Sequence, residues 1–94
     1  MQGSVRPEFS ELLQQLRGRA KKSRYELHKV TGLDQAYLKR LEDGSKDNPS
    51  RETVLMLSFA LVRGNEVIDI EDIDELLLAA GYAPLRRWDR AKVG

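Results

Sequence analysis

The stretch that decides the fold is SRYELHKVTGLDQAYLKRLEDG, residues 23–44. Ser23 is a favourable N-cap and Glu26 follows three residues later, so the pair predicts a capping box at the start of a helix. The residues that share one face of this helix are Leu27, Val30 and Thr31. Gly32 comes next, and a glycine just past a helix end suits the left-handed conformation that closes many helices. This half of the stretch is therefore predicted to form a helix of about two turns.

The second half of the stretch repeats the pattern. Asp34 is the predicted N-cap of a second helix, and Gly44 is the glycine that ends it. Leu38 and Leu41 form the inward face of this helix. Two helices joined by so short a glycine turn cannot lie antiparallel and must cross steeply. That crossing is the geometry of a helix-turn-helix.

The outward face of the second helix carries side chains of a different kind, namely Gln35, Ala36, Lys39 and Arg40. Amide and cationic groups are those that bond base edges and phosphates in the major groove of DNA. The alternative interpretation is the solvated face of an ordinary helical bundle. The capped helix and glycine turn that precede this face favour the DNA-binding interpretation.

In order and spacing, these residues resemble the DNA-binding helix-turn-helix of the Cro and phage-repressor type. The matching positions are Leu27, 31–33, 37–38, 40–42, Gly44, 49–50, 52–55 and 76–84. The resemblance implies an all-α, lambda-repressor-like fold, a compact bundle of about five helices in which helices 2 and 3 form the helix-turn-helix. We expect this domain to cover residues 7–84, between an N-terminal tail, 1–6, and a basic C-terminal tail, 85–94.

Three further helices are predicted around the stretch. One begins near Pro7 and buries a stripe formed by Phe9, Leu12, Leu13, Leu16 and Ala20. Another is capped by Ser50, spans 51–62, and buries Val54, Leu55, Leu57, Ser58 and Leu61. The last begins at a capping pattern on Asp69 and Asp72, ends at Gly81, and turns inward Ile70, Ile73, Leu77 and Ala80.

The resemblance also implies a structural salt bridge between the first and third helices. An arginine at the place of Arg17 commonly pairs in this family with a glutamate at the end of the recognition helix, here Glu42. A buried guanidinium needs such a carboxylate to offset its desolvation. Two positions depart from the family, since Arg24 replaces a glutamine and His28 replaces a small alanine. We expect the imidazole to widen the helix crossing or to turn outward.

Met56 and Phe59 lie outside the core stripe of the fourth helix, where the family usually has polar residues. An apolar pair at this spacing indicates a second contact surface. Packing beneath the loop at Val67 and Ile68 is the favoured interpretation. Participation in a dimer interface is the alternative.

The composition restricts the classes of function. The chain has no cysteine and one histidine, which excludes disulfides and thiolate metal sites, and no phosphate-cradling glycine loop is present. We therefore expect neither enzymatic activity nor a metal or cofactor. No apolar run has membrane-spanning length, so a cytoplasmic protein is expected. The net charge is only +1, but bases crowd residues 17–29 and acids crowd 66–75, which predicts one face suited to a polyanion.

These observations predict a sequence-specific, double-stranded DNA-binding transcriptional regulator of bacterial or phage type, acting as a repressor, with residues 34–43 in the major groove. The expected base contacts are Gln35, Ala36 and Lys39. The expected phosphate contacts are Ser23, Arg24, Tyr37, Arg40 and Lys46. A symmetric homodimer is expected, because one such module is small for tight specific binding. The alternative is a protein-interaction or antitoxin-like module with the same fold.

Overall fold

A computed structural model of the chain describes residues 8–64 and 66–86. Within these ranges it contains no strand and five helices, α1 Phe9–Ala20, α2 Arg24–Thr31, α3 Gln35–Asp43, α4 Arg51–Val62 and α5 Ile70–Ala79. The predicted all-α bundle is thereby confirmed. None of these five helices is long and apolar enough to cross a lipid bilayer. The predicted N-terminal tail, 1–6, and most of the C-terminal tail, 87–94, lie outside the described residues.

Helix α1 begins at Phe9, with Glu8 in the extended conformation of an N-cap, so it starts two residues later than predicted. Pro7, the expected first helical residue, lies outside the described residues. The predicted apolar stripe is nevertheless buried throughout, with each member at most 6% exposed. The helix ends where Lys21 takes a left-handed φ of 57°. Its amide and that of Lys22 then close the last turn by donating to carbonyls of α1.

The core is rich in leucine and lies between α1 and the other helices. Helix α1 packs against α3, α4 and α5, and α2 packs against α3 and α4. Ile70, which was expected to turn inward, is 44% exposed, and Val30, which shares a face of α2 with Leu27, is 41% exposed. Leu27 alone provides the buried contact of α2, and Leu76 and Leu77 provide that of α5. Ile70 is the first residue of α5, and Leu77, one of its buried residues, lies seven positions later.

Helices α4 and α5 begin as predicted. The Ser50 hydroxyl accepts a hydrogen bond of 3.1 Å from the Thr53 amide. Asp69 accepts from the amides of Glu71 and Asp72, and the Asp72 carboxylate accepts from the Asp69 amide at 3.0 Å, which completes a capping box. These bonds satisfy amides that a helix leaves without an internal partner. Both predicted caps are confirmed.

Three hydrogen bonds that the sequence did not predict hold the end of the domain. The Tyr82 hydroxyl donates to the Pro49 carbonyl at 2.7 Å. Asp74 is only 5% exposed, and its carboxylate accepts from the Leu85 amide and from Arg86 Nε, both at 2.7 Å. A buried carboxylate requires such donors to offset its desolvation. The first two residues of the expected C-terminal tail are therefore bound to α5.

Candidate nucleic-acid interface

The turn between α2 and α3 is fixed by backbone conformation and one hydroxyl. Gly32 has φ 81°, the left-handed region that favours glycine, and its amide donates to the His28 carbonyl at 2.8 Å. Thr31 Oγ1 donates to the Leu27 carbonyl at 2.7 Å and accepts from the Leu33 amide at 3.0 Å. These bonds determine the angle at which α3 leaves α2.

His28 adds a further contact to this turn. The imidazole is half-buried, and its Nδ1 lies 2.8 Å from the Leu33 carbonyl oxygen. Because a carbonyl can only accept, Nδ1 must carry the proton in this bond. The expectation that the ring would turn outward is wrong, since the half-buried side chain bonds along the turn. The expected widening of the helix crossing stays a prediction. Residue type alone did not reveal this bond.

Helix α3 separates an apolar face from a polar one. Leu38 and Leu41 are at most 1% exposed and hold the helix against the core. The residues on the opposite side are all exposed, namely Gln35, Ala36, Lys39 and Arg40. Within the described part of the chain, no hydrogen bond or ion pair occupies the polar side chains of this group. Their donors and acceptors are therefore available to a ligand that approaches the helix from outside.

One carboxylate joins three helices behind this face. Glu42 is 4% exposed and accepts from Arg17 Nε at 2.5 Å, Arg17 Nη2 at 2.9 Å and Arg24 Nη1 at 3.0 Å. The hydrogen bond to Glu42 is the main cause that raises the pKa of Arg17 above its ordinary value. Gln14 Nε2 adds a bond of 2.7 Å to the Glu42 carbonyl. Paired guanidinium groups thus fix the end of α3 to α1 and to the start of α2.

The five expected phosphate contacts are distributed around α3. Ser23 Oγ accepts from the Glu26 amide at 3.0 Å, which leaves its hydroxyl proton to donate elsewhere. Arg24 is 38% exposed in its side chain and uses one guanidinium nitrogen for Glu42. Tyr37 is half-buried against the core, whereas Arg40 and Lys46 are exposed. Each of the five side chains retains at least one donor, although Arg24 is already held in place.

A comparison with protein-family models matches residues 8–81 to the family described as Helix-turn-helix domain. The chain belongs to this helix-turn-helix family. The match extends from the residue before α1 to the residues just after α5, and it confirms the resemblance to the Cro and phage-repressor type. Searches of curated proteins and of solved structures gave no match.

The charges of the helix-turn-helix domain are less separated than the sequence predicted. Arg19 donates to both oxygens of Asp72, at 3.1 and 3.2 Å, and Lys22 Nζ donates to the carbonyls of Ala60 and Arg63. Arg19 therefore pairs with one acid of α5, and Lys22 binds carbonyls at the end of α4. Part of the basic cluster at residues 17–29 is thus used inside the domain, because Arg19 near the end of α1 meets Asp72 at the start of α5. The polyanion-binding face stays a prediction for the other bases of the cluster.

Exposed acids flank the recognition helix of the domain at both ends. Asp34 precedes α3 as its N-cap and makes no side-chain cap bond, while Asp43 is its last residue. The hydrogen bond from the Ser45 hydroxyl, followed by that from the Ser45 amide, lowers the pKa of Asp43. Asp43 therefore stays ionised at neutral pH and places a negative charge at the end of α3.

Met56 and Phe59 lie in a groove between α2 and α4 of the domain. Phe59 is 64% exposed and Val67 is 52% exposed, so the loop at Val67 and Ile68 does not cover Phe59. Met56 is half-buried, and Val30 of α2 forms part of the opposite wall. The pair therefore contributes to a surface that is open to a partner.

Proposed function

We propose that the domain binds specific sequences in double-stranded DNA and regulates transcription as a repressor. The observation that carries the proposal is the exposed face of α3, whose polar side chains make no bond within the described chain. A glutamine amide at Gln35 can bond an adenine edge in a bidentate way, and Lys39 can donate to guanine or to a phosphate. The Ala36 methyl can contact that of thymine. Because occupation of a site excludes other proteins from it, repression requires only this binding.

Phosphate contacts would fix the register of α3 in the major groove. The residues proposed for this role are Ser23, Arg24, Tyr37, Arg40 and Lys46. Such contacts position a protein on the duplex and do not read its sequence. Arg24 differs from the others because its Nη1 already donates to Glu42 Oε1 at 3.0 Å in the protein without DNA. This bond reduces the conformational entropy that Arg24 would lose on binding.

The proposed assembly is a homodimer with twofold symmetry. A single small module buries limited surface on DNA, and two copies double the contacts. The two recognition helices would lie about 34 Å apart, so that each enters the major groove one helical turn from the other.

A protein-interaction or antitoxin-like module is the second candidate. The observation that favours it is the pair of exposed carboxylates, Asp34 and Asp43, at the two ends of α3. Together with the net charge of +1, they weaken the attraction to a polyanion.

Gel-shift titration of genomic DNA fragments separates the two candidates. A specific DNA-binding protein retards a subset of the fragments, and its affinity falls steeply between about 50 and 200 mM salt as counterions are released. Lys39→Ala should weaken this binding, whereas Lys29→Ala, which removes the same charge near Gly64, should bind like the wild type. Equal retardation of all fragments would contradict specific recognition. Retardation of none would contradict DNA binding and favour the protein-interaction module.

A further inference from the structure

Helix α4 and the residue after it carry a stripe of four side chains whose sequence spacing is the same when read from either end. Glu52, Met56, Phe59 and Arg63 follow each other at intervals of four, three and four residues. At 100° per residue they lie within an arc of about 60° on one side of the helix. Read forwards, the stripe runs acid, apolar, apolar, base, and Arg63 follows directly after the last helical residue. The midpoint of the two charges coincides with the midpoint of the two apolar residues.

The middle of this stripe is an exposed apolar surface. Phe59 is 64% exposed, the highest value among the exposed large hydrophobic residues in the described ranges, and Met56 is half-buried. Val30, which is 41% exposed, and Leu55 extend the groove toward α2. Single apolar residues at a surface are ordinary, but a contiguous group with polar ends is typical of a contact site.

The charges at the two ends of the stripe have no ion-pair partner among residues 8–64 and 66–86. Neither the Glu52 carboxylate nor the Arg63 guanidinium forms an ion pair with any residue that the structure describes. Several other charged side chains do form ion pairs, namely Arg17 and Arg24 with Glu42, Arg19 with Asp72 and Arg86 with Asp74. Glu52 and Arg63 are therefore available to a second molecule.

We propose that this groove binds the same groove of a second copy, with the two α4 helices antiparallel across a twofold axis. Glu52 would then face Arg63 of the partner subunit, and Met56 would face the partner subunit's Phe59. Each contact occurs twice, as a twofold interface requires. The intervals of three and four residues are also those of the seam between two packed helices.

The charge pattern identifies a copy of this chain as the occupant. A second copy in antiparallel orientation presents a base to the acid and an acid to the base, at equal distances from the apolar centre. An unrelated helix is not expected to carry this matching pattern. A nucleic acid is disfavoured, because Glu52 would repel it and the centre offers no cation. The inference deepens the homodimer of the proposed function and rests on it for the expectation of twofold symmetry. Its residues lie on α4 and not on α3, so it can be tested without DNA.

Sedimentation velocity over a range of protein concentrations, with no DNA present, provides the test. The wild type should form a dimer, and Glu52→Arg or Arg63→Glu alone should raise the dissociation constant about tenfold, because each reversal places two like-charged pairs in the interface. The double variant Glu52→Arg with Arg63→Glu should restore dimerisation, since it only exchanges the two signs. Glu11→Arg is the matched control on the exposed side of α1 and should dimerise like the wild type.

A second variant tests the apolar centre. Phe59→Lys should sediment as a monomer with an unchanged helical circular-dichroism spectrum, because the ring is mostly exposed and supports no core contact. A wild type that stays monomeric at every concentration would overturn the interface. So would single reversals that leave the dissociation constant unchanged, or a double reversal as weak as the single ones. Normal dimerisation without retardation of any DNA fragment would contradict the proposed function alone.

Discussion

Glu42 and Arg17 form a two-bond ion pair, of 2.5 and 2.9 Å, that joins the recognition helix to α1. The carboxylate is 4% exposed, and the arginine side chain is 23% exposed. Arg24 shares the same carboxylate at 3.0 Å. Because α3 ends one residue after Glu42, this pair determines both the stability of the bundle and the direction in which α3 presents its outer face.

Glu42→Ala should lower the free energy of unfolding by about 2–3 kcal/mol. Loss of one partner from a fully buried pair costs about 3–5 kcal/mol, but Arg17 and Arg24 are partly exposed and can be rehydrated. Urea denaturation monitored by circular dichroism measures the change. Glu11→Ala, an exposed acid on α1, should remain within about 0.5 kcal/mol of the wild type. Equal midpoints for the two variants would show that the pair adds no stability.

The same glycine-to-alanine change should have opposite effects at two sites. Gly32 has φ 81°, so Gly32→Ala should destabilise the domain by about 1–2 kcal/mol through backbone strain. Gly18 lies within α1, so Gly18→Ala should stabilise it by about 0.5–1 kcal/mol. A Cβ at either position meets no atom within 4 Å, which leaves conformation as the cause. Thermal melting of both variants tests this, and a shared sign would refute the assigned conformations.

Arg19→Gln should reduce the sensitivity of the fold to acid. Partial burial tends to raise the pKa of Asp72, but the hydrogen bond from Arg19 and those from Asp69 outweigh it, so the pKa is lowered. A lowered pKa contributes stability above the unfolded value of about 3.9, and that stability is lost as the pH falls through the folded value.

The difference in unfolding midpoint between Arg19→Gln and the wild type should therefore shrink as the pH is lowered from about 6 to about 2. Lys21→Gln, whose lysine is exposed and close to Arg19 in sequence, serves as the control and should parallel the wild type. A carboxyl NMR titration in which the pKa of Asp72 stays the same without Arg19 would disprove the assignment.

Asp74→Ala should release the segment that follows α5. The Leu85 amide donates to this carboxylate at 2.7 Å, so its hydrogen exchange should be slow in the wild type and markedly faster in the variant. Glu75→Ala, which alters the exposed neighbouring acid, should leave the exchange unchanged. Amide exchange measured by NMR distinguishes the two variants. Fast exchange at Leu85 already in the wild type would argue against the bond.

Lys46→Ala should weaken DNA binding without changing its sequence preference. If Lys46 contacts a phosphate, its loss lowers affinity for all duplexes alike and reduces the slope of log affinity against log salt by about 1. Fluorescence anisotropy with a retarded fragment and a scrambled duplex measures both. A larger loss on one duplex than on the other would instead place Lys46 at a base.

Local signals in the sequence predicted most of the fold. The capping boxes at Ser23 and Asp69 and the left-handed Gly32 depend on residues at most three positions apart, so the sequence alone identifies them. The apolar stripe of α1 follows from helical periodicity. Periodicity did not reveal the exposure of Val30 and Ile70, because it identifies one face of a helix but not how much of that face the neighbouring helices cover.

Long-range polar contacts could not be predicted in the same way. Asp74 stands among several acids in the α5 segment, and nothing local distinguishes the one that meets Leu85 and Arg86. The pairing of Arg19 with Asp72 depends on how α1 packs against α5, so the sequence did not reveal that this base of the cluster is already paired. For the Arg17 and Glu42 contact, the resemblance to a known family supplied the tertiary information that composition lacks.

Selection from a randomised duplex library, followed by sequencing, tests the central claim that the outer face of α3 reads bases. The wild type should enrich a site with two half-sites about 10 base pairs apart. Gln35→Ala should lose preference at one position of each half-site, with a discrimination loss of about 1–3 kcal/mol and no change in melting temperature. Absence of any enriched sequence with the wild type, or an identical site with Gln35→Ala, would contradict the claim.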